Sequence, residues 1–378
     1  MNFTRSLKTG LPALLVFLMV QMLFAAILTR QQMDYFSVSS WNRWDSGHYL
    51  KIATEGYELF PCAGKFGFPE DSPHKCGNTG WFPGFPLLIR LTALTGLTPG
   101  QAGVLWAHFF ALASLWIILI LTGFRSFTLK SLLLTGIAAF GFSFVYHHAI
   151  FPISAVTFFS LASFWAYRKN YLQVCRIFCF LSAVFYPTGF LLAGTFSLFL
   201  LFSPGLPFLQ RLRQAVVPSL FGILGIGVVF LYYHFAVGEW SAFLQVQSKY
   251  GHSFQSPVKN MGSFFRSMDF LEPFTANGLI QWQSIVIIAG FLLLSFFFFR
   301  NKMHREPLFL WTFLYVALFF LFPWTVSGDL SRYRSEALLI PVVLLFPRVS
   351  SVWLSVILSV MLAFGIPMTH LFFNAILE

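Results

Sequence analysis

Apolar runs recur along almost the whole chain, and no other feature narrows the possible folds so far. A hydrocarbon core about 30 Å thick needs roughly 20 apolar residues of helix, because every backbone N–H and C=O must be satisfied within the segment. Residues 11–28 are the first such run, preceded by Arg5 and Lys8. The run is longer than a typical signal-peptide core and has no small-x-small cleavage pattern, so it reads as a retained first helix. Splitting the rest at turn residues and cations gives runs near 101–121, 131–146, 152–167, 172–186, 188–203, 216–236, 283–299, 308–324, 337–347 and 351–372. The expectation is an all-α polytopic membrane protein with about eleven transmembrane helices, in one domain over residues 1–378. Residues 172–203, divided only by Tyr186-Pro187, also fit a single broken element.

Charge sets the expected orientation. With the N-terminus inside, the short connections on that side carry thirteen of the 24 lysines and arginines, among them Lys130, Arg168, Arg211 and Arg300. All the carboxylates except Glu306 then fall on the other side. The chain is 57% hydrophobic, 20% aromatic and only 10% charged, with a net charge of +11. Nucleic-acid binding asks for cations clustered on one face of a soluble fold; here they stand singly between apolar runs, which argues against it.

Two predicted extracytoplasmic loops are long, residues 29–100 and 237–282. Loops of that size carry function or short helices lying on the membrane. Residues 82–97 are too short for a span and hold Arg90, so they read as an interfacial helix. Phe264, Met268 and Leu271 recur at helical spacing in the second loop and suggest another. Cys175 and Cys179 lie one turn apart in an apolar run and read as buried thiols. Cys62 and Cys76 sit in the first loop, in an oxidising compartment, where a disulfide would add on the order of 3 kcal/mol of local order.

The stretch WNRWDSGHYLKIATEGY, residues 41–57, concentrates Arg43, Asp45, His48, Lys51 and Glu55 among aromatics. A helix there puts Asp45, His48 and Tyr49 on one face. A carboxylate shielded by tryptophans beside an imidazole suits a general base; Asp45-Ser46-Gly47 equally suits a helix cap, and the two roles are compatible. Glycoside hydrolysis needs a second carboxylic acid for its leaving group, whereas a sugar phosphate leaves without one and asks for cations instead. Arg332 and Arg334, in the last outer loop, have the right chemistry for phosphate; pairing with Asp329 and Glu336 or anchoring in headgroups are the structural alternatives. Trp41, Trp44, Trp81 and Phe82 form a possible wall for sugar or lipid, or an interfacial anchor. The neighbouring His147 and His148 would point to different helix faces, and no cluster with metal-ligand spacing stands out, so a metal-independent reaction is expected.

These residues carry a resemblance. RWDSGHYLKIATEGY followed by GWFPGFPLLIRL resembles the first luminal loop of the PIG-V-like mannosyltransferases, membrane glycosyltransferases of the GT-C superfamily. The matching positions are Trp44-Asp45, His48, Ile52-Ala53, Gly56-Tyr57 and Phe82-Pro83-Gly84-Phe85-Pro86. FLQVQSKYG, Pro187-Thr188-Gly189 and Arg332-Tyr333 are weaker echoes of the bacterial relatives. Tyr186 stands where those relatives have arginine, and Ile153-Ser154-Ala155 where many have Tyr-Ser-Glu.

The resemblance implies a GT-C-type fold with extracytoplasmic juxtamembrane helices, assigned to 46–56 and 82–97. It implies an inverting transferase that moves a sugar, mannose in the family, from a polyprenyl-phosphate carrier to a glycan, lipid or protein acceptor, with no cofactor. Asp45 would be the base. Arg43, Trp44, His48, Tyr49, Trp81, Phe82, His148, Tyr186, Gln247 and Tyr250 would line the substrates, and Arg332, Arg334 and Lys51 would meet the donor phosphate. The expected place is a bacterial plasma membrane, or the endoplasmic reticulum in a eukaryote. Two other classes fit the composition: a transporter, which would place ionisable groups at midplane although the apolar runs hold no carboxylate, and a non-catalytic assembly subunit.

Overall fold

The computed structural model describes residues 3–124, 127–203, 205, 207–268, 275–326 and 332–376. The chain is an integral membrane protein, mainly helical. Its helices run α1 (Phe3–Arg30), α2 (Val38–Trp41), α3 (Ser46–Glu55), α4 (Gly84–Ala93), α5 (Pro99–Thr122), α6 (Leu129–Ala139), α7 (Ile153–Arg168) and α8 (Leu172–Phe185). They continue as α9 (Leu191–Phe202), α10 (Phe208–Val237), α11 (Ala242–Ser248), α12 (Pro257–Arg266), α13 (Ala276–Arg300), α14 (Pro307–Leu321), α15 (Arg332–Glu336) and α16 (Ser351–Phe373). Two short strands, β1 (Leu59–Pro61) and β2 (Lys75–Gly77), pair antiparallel with Phe60 opposite Cys76.

Among the described residues, six helices are long and apolar enough to cross a membrane: those ending at Arg30, Thr122, Val237, Arg300, Thr325 and Phe373. The shorter runs expected as spans are helical too, but in pieces. The run at 131–146 is α6, a break through Ser143, which takes a left-handed conformation, and a 3-10 turn, Phe144–His147. The run at 337–347 is a 3-10 segment, Ala337–Leu345, built around Pro341, whose missing N–H prevents a regular α-helix. Residues 172–203 form two helices, parted at Tyr186 by the 3-10 turn Pro187–Phe190.

The distribution of large apolar side chains follows from a lipid surrounding. In α1, Ala13, Val16, Val20, Phe24 and Ile27 are buried at three- and four-residue steps, while Leu14, Leu18 and Met22 on the other face are exposed. Exposed leucine costs nothing against acyl chains, so close packing does the work of association. Small residues permit it: a side chain at Gly222 would strike Ala193, and one at Gly225 would strike Ala183 and the Phe180 carbonyl. That is why α10 lies tightly along α8 and α9. Elsewhere α5 packs on α7 and on α1, α16 on α6, and α14 on α9 and on the 3-10 segment.

The caps are local. Thr98 and Gln101 form a reciprocal capping box before Pro99, and Gly123 ends α5 in a left-handed conformation. Helix α4, shorter than the expected 82–97, buries Phe85 and Ile89 and exposes Leu87, Leu91 and Leu94, as an interfacial helix would. Helix α12 departs from the expected lipid-resting helix. Phe264 turns inward onto Trp324, with ring centroids 5.4 Å apart, and Asn260 Nδ2 donates to the Trp324 carbonyl at 2.8 Å. Leu271 and Asp329 lie outside the described residues.

Candidate active site

Three connections far apart in sequence meet around Asp45. Ahead of it, Trp44 adopts φ 51°, a left-handed conformation that is uncommon for a bulky side chain and ends the approach from α2. The backbone of Asp45 then starts α3, its carbonyl accepting from the N–H groups of His48 and Tyr49 at 3.0 and 3.2 Å. Its carboxylate makes no capping hydrogen bond. Instead Oδ2 accepts from Nη1 of Arg334, in α15. Asp45 therefore occupies the capping position without serving as a side-chain cap, which leaves the carboxylate for another role.

Arg334 is well held. Its guanidinium lies over Tyr146 and Phe151, 5.9 and 5.8 Å from the ring centroids, and its side chain is only 14% exposed. The charges of Asp45 and Arg334 both reach Tyr49, Tyr186 and Tyr250. Tyr49 is fully buried, edge-on to Phe85 and Phe151, so α3 is seated on α4 and the bundle through the face that also carries Ile52 and Ala53. Tyr186 arrives at the break between α8 and α9, where Gly189 presses against the Ser182 carbonyl with no room for a side chain.

His48 stacks flat on Trp81, with centroids 3.6 Å apart and planes 15° apart. Trp81 is fixed in turn, its carbonyl accepting from Tyr57 at 2.7 Å and Tyr233 at 3.3 Å. Burial holds the His48 imidazole below its ordinary pKa, with Asp45 opposing that shift and Lys249 adding to it. At neutral pH the ring is an uncharged acceptor or donor beside the carboxylate.

The second long loop closes over this stack. Thr79 donates to the Ala242 carbonyl at 3.0 Å, and Phe82 meets Phe243 edge to face at 5.2 Å, which ties α11 to the first loop. Gln247, near the end of α11 and hydrogen-bonded to His252 at 2.7 Å, lies against Gly80, and Tyr250 follows the helix within reach of the Asp45 charge. The first loop is braced further by a Cys62–Cys76 disulfide, as expected, and by Asn78, which donates to the Gly56 carbonyl and accepts from the Glu58 N–H.

Of the residues expected at the site, the structure thus gathers Asp45, His48, Tyr49, Trp81, Tyr186, Tyr250 and Arg334. Others go elsewhere. His148 is buried among Phe17, Phe24 and His108, its Nδ1 accepting from Gln21, which accepts in turn from Tyr35; it braces α1 against α5 and does not reach Asp45. Phe82 fills a small core with Val229 and Tyr233, so it packs protein instead of lining the site. Lys51 stays within reach of His48 but is paired with Glu58 at 2.6 Å, which leaves it no free charge for a phosphate. Arg43 donates to the Met33 sulfur at 2.9 Å, and Trp44 packs partly buried against the main core. Trp41 is buried and donates to the Tyr35 carbonyl, an internal support and not a sugar platform. Arg332 stacks on Trp324 at 4.6 Å and Phe264 at 5.4 Å, which pins α12. Glu336 accepts from Gln283 and Ser284 at 2.6 and 2.7 Å and forms no pair with Arg334. Lys249 is the site residue that sequence reasoning passed over, although it stands between Gln247 and Tyr250 in a stretch already singled out.

Among the described residues no group of three or more histidine, cysteine or acidic side chains is placed to hold a metal ion. No protein-family model matches the chain, and no curated protein or solved structure does either.

Proposed function

We propose that the chain is an inverting glycosyltransferase of GT-C type, with about eleven membrane-crossing segments, that takes a sugar from a polyprenyl-phosphate carrier on the extracytoplasmic side. Mannose is the sugar the sequence resemblance favours. The observation that carries the reading is the state of Asp45: a carboxylate at the start of a helix, relieved of capping, held through Oδ2 by a well-anchored arginine.

The arrangement suits transfer. Arg334 orients Asp45 through Oδ2, while Oδ1 has no hydrogen bond within the described residues and is open to an acceptor hydroxyl. As the acceptor oxygen attacks the anomeric carbon, its proton passes to Asp45. The bond from that carbon to the phosphate oxygen breaks, and its electron pair leaves with the carrier phosphate. Attack from the face opposite the phosphate inverts the centre, and the leaving group needs cations, not an acid. His48, half-buried and backed flat by Trp81, offers a face for the sugar ring. No step calls for a metal, so transfer should persist in EDTA. The experiment that tests the reading is sugar transfer from polyprenyl-phosphate-mannose by the wild type and Asp45→Asn.

A further inference from the structure

The cations first expected at the donor phosphate are largely engaged. Lys51 is bound to Glu58, Arg332 has its guanidinium face on Trp324 and Phe264, and Arg334 holds Asp45. The described residues contain three ion pairs, Lys51–Glu58, Arg334–Asp45 and Arg348–Glu306; Lys249 belongs to none of them. Yet Lys249 is half-buried, and its ammonium lies 4.7 Å from the Tyr250 ring centroid. Tyr250 also feels the charges of Asp45 and Arg334, and the Lys249 charge reaches His48. Lys249 thus borders the site through Tyr250 and belongs to no ion pair among the described residues, whereas Asp45 and Arg334 pair with each other. Among the described residues the cluster carries one uncompensated positive charge.

We propose that Lys249 binds the phosphate of a lipid-linked ligand, at a subsite shared with Tyr250 and the His48–Trp81 stack; this rests on the transferase reading above. A half-buried ammonium without a carboxylate is an anion site in waiting, since a bound phosphate restores the interaction that burial takes from water. The chemistry of the reaction sharpens the point. A polyprenyl-phosphate sugar is a phosphodiester with one negative charge, and the departing polyprenyl phosphate is a monoester that carries more. A cation beside the leaving oxygen gains as the bond breaks, so its stabilisation is greater in the transition state than in the bound substrate. Position supports this use: Lys249 closes α11, which the Thr79–Ala242 hydrogen bond and the Phe82–Phe243 contact hold against the loop that presents Trp81.

The test compares binding of polyprenyl monophosphate, the uncharged polyprenol and inorganic phosphate to the full chain in nanodiscs, for wild type, Lys249→Met and Lys249→Arg. Wild type should prefer polyprenyl monophosphate over polyprenol; Lys249→Met should cut that preference about tenfold and Lys249→Arg should keep most of it. Polyprenol binding should be the same in all three, which also reports that the variants are folded. An unchanged preference in Lys249→Met overturns the assignment while leaving the transferase reading intact. No preference in the wild type overturns both. Inorganic phosphate bound as tightly as the lipid, and lost in Lys249→Met, would assign the cation to free phosphate and overturn the lipid-linked ligand.

Discussion

Arg334 donates to the carboxylate of Asp45 across 289 residues of sequence, joining α15 to the start of α3. The two side chains are only 14% and 27% exposed, so water screens the pair less than it would at an open surface. Removing either partner leaves the other charge partly buried and unpaired. A double-mutant cycle of Asp45→Asn and Arg334→Gln should give a coupling energy of about 2 kcal/mol, above the ~0–1 kcal/mol of an exposed ion pair. Thermal unfolding in detergent measures it; additive single effects would mean that the pair is incidental.

His48 makes stability depend on pH. Its folded-state pKa lies below the ordinary histidine value of 6.5, with burial as the main cause. The unfolded chain therefore binds the proton more readily than the native one, and the stability this ring contributes is present above that value and lost as pH falls through the native pKa. The groups that act on the ring are Asp45, Lys249, Lys51 and Glu58. Melting temperature should drop as pH falls below about 6.5, the ordinary histidine value, and His48→Gln should flatten that drop. Parallel pH profiles for the two proteins would contradict the placement of His48.

The Cys62–Cys76 bond closes the hairpin that carries β1 and β2. Denatured, unreduced protein should show two titratable thiols, Cys175 and Cys179, and reduced protein four. Cys62→Ala with Cys76→Ala should cost about 3 kcal/mol of loop order, seen as faster hydrogen exchange over residues 59–77. Four thiols without reduction would refute the bond.

Gly189 sets the break that delivers Tyr186. A methyl group there would collide with the Ser182 carbonyl, a backbone atom that cannot swing aside. Gly189→Ala should destabilise the protein by about 1–3 kcal/mol or more and also impair transfer, because the turn after α8 must open. Full stability and activity in that variant would show that the break is tolerant.

Much of this was legible before any coordinates. Apolar run length marked the long helices, since a membrane segment must satisfy its own backbone and so announces itself locally. The scarcity of charge made Asp45 and its neighbours conspicuous, and cysteine placement pointed to the disulfide. What escaped was non-local. Nothing near Arg334 indicates that it meets Asp45 while Arg332, two residues earlier, stacks on Trp324. His148 looked like a site residue from its neighbours, but its partner is Gln21, on a helix more than a hundred residues away. Lys249 was missed because an isolated lysine in a loop is ordinary until the carboxylates around it are known to be taken. The regular spans read at 131–146 and 337–347 hid a break at Ser143 and a 3-10 segment around Pro341, since hydropathy reports apolarity and not backbone geometry.

The central claim is that Asp45 serves as the base in sugar transfer. The most direct measurement is movement of radiolabelled mannose from polyprenyl-phosphate-mannose into membrane acceptors, with purified wild type and Asp45→Asn side by side in liposomes. The expected result is transfer by wild type and its loss in Asp45→Asn, with carrier binding retained. Equal transfer by both proteins, or no transfer by wild type across a range of carrier-linked sugars and acceptors, would contradict it.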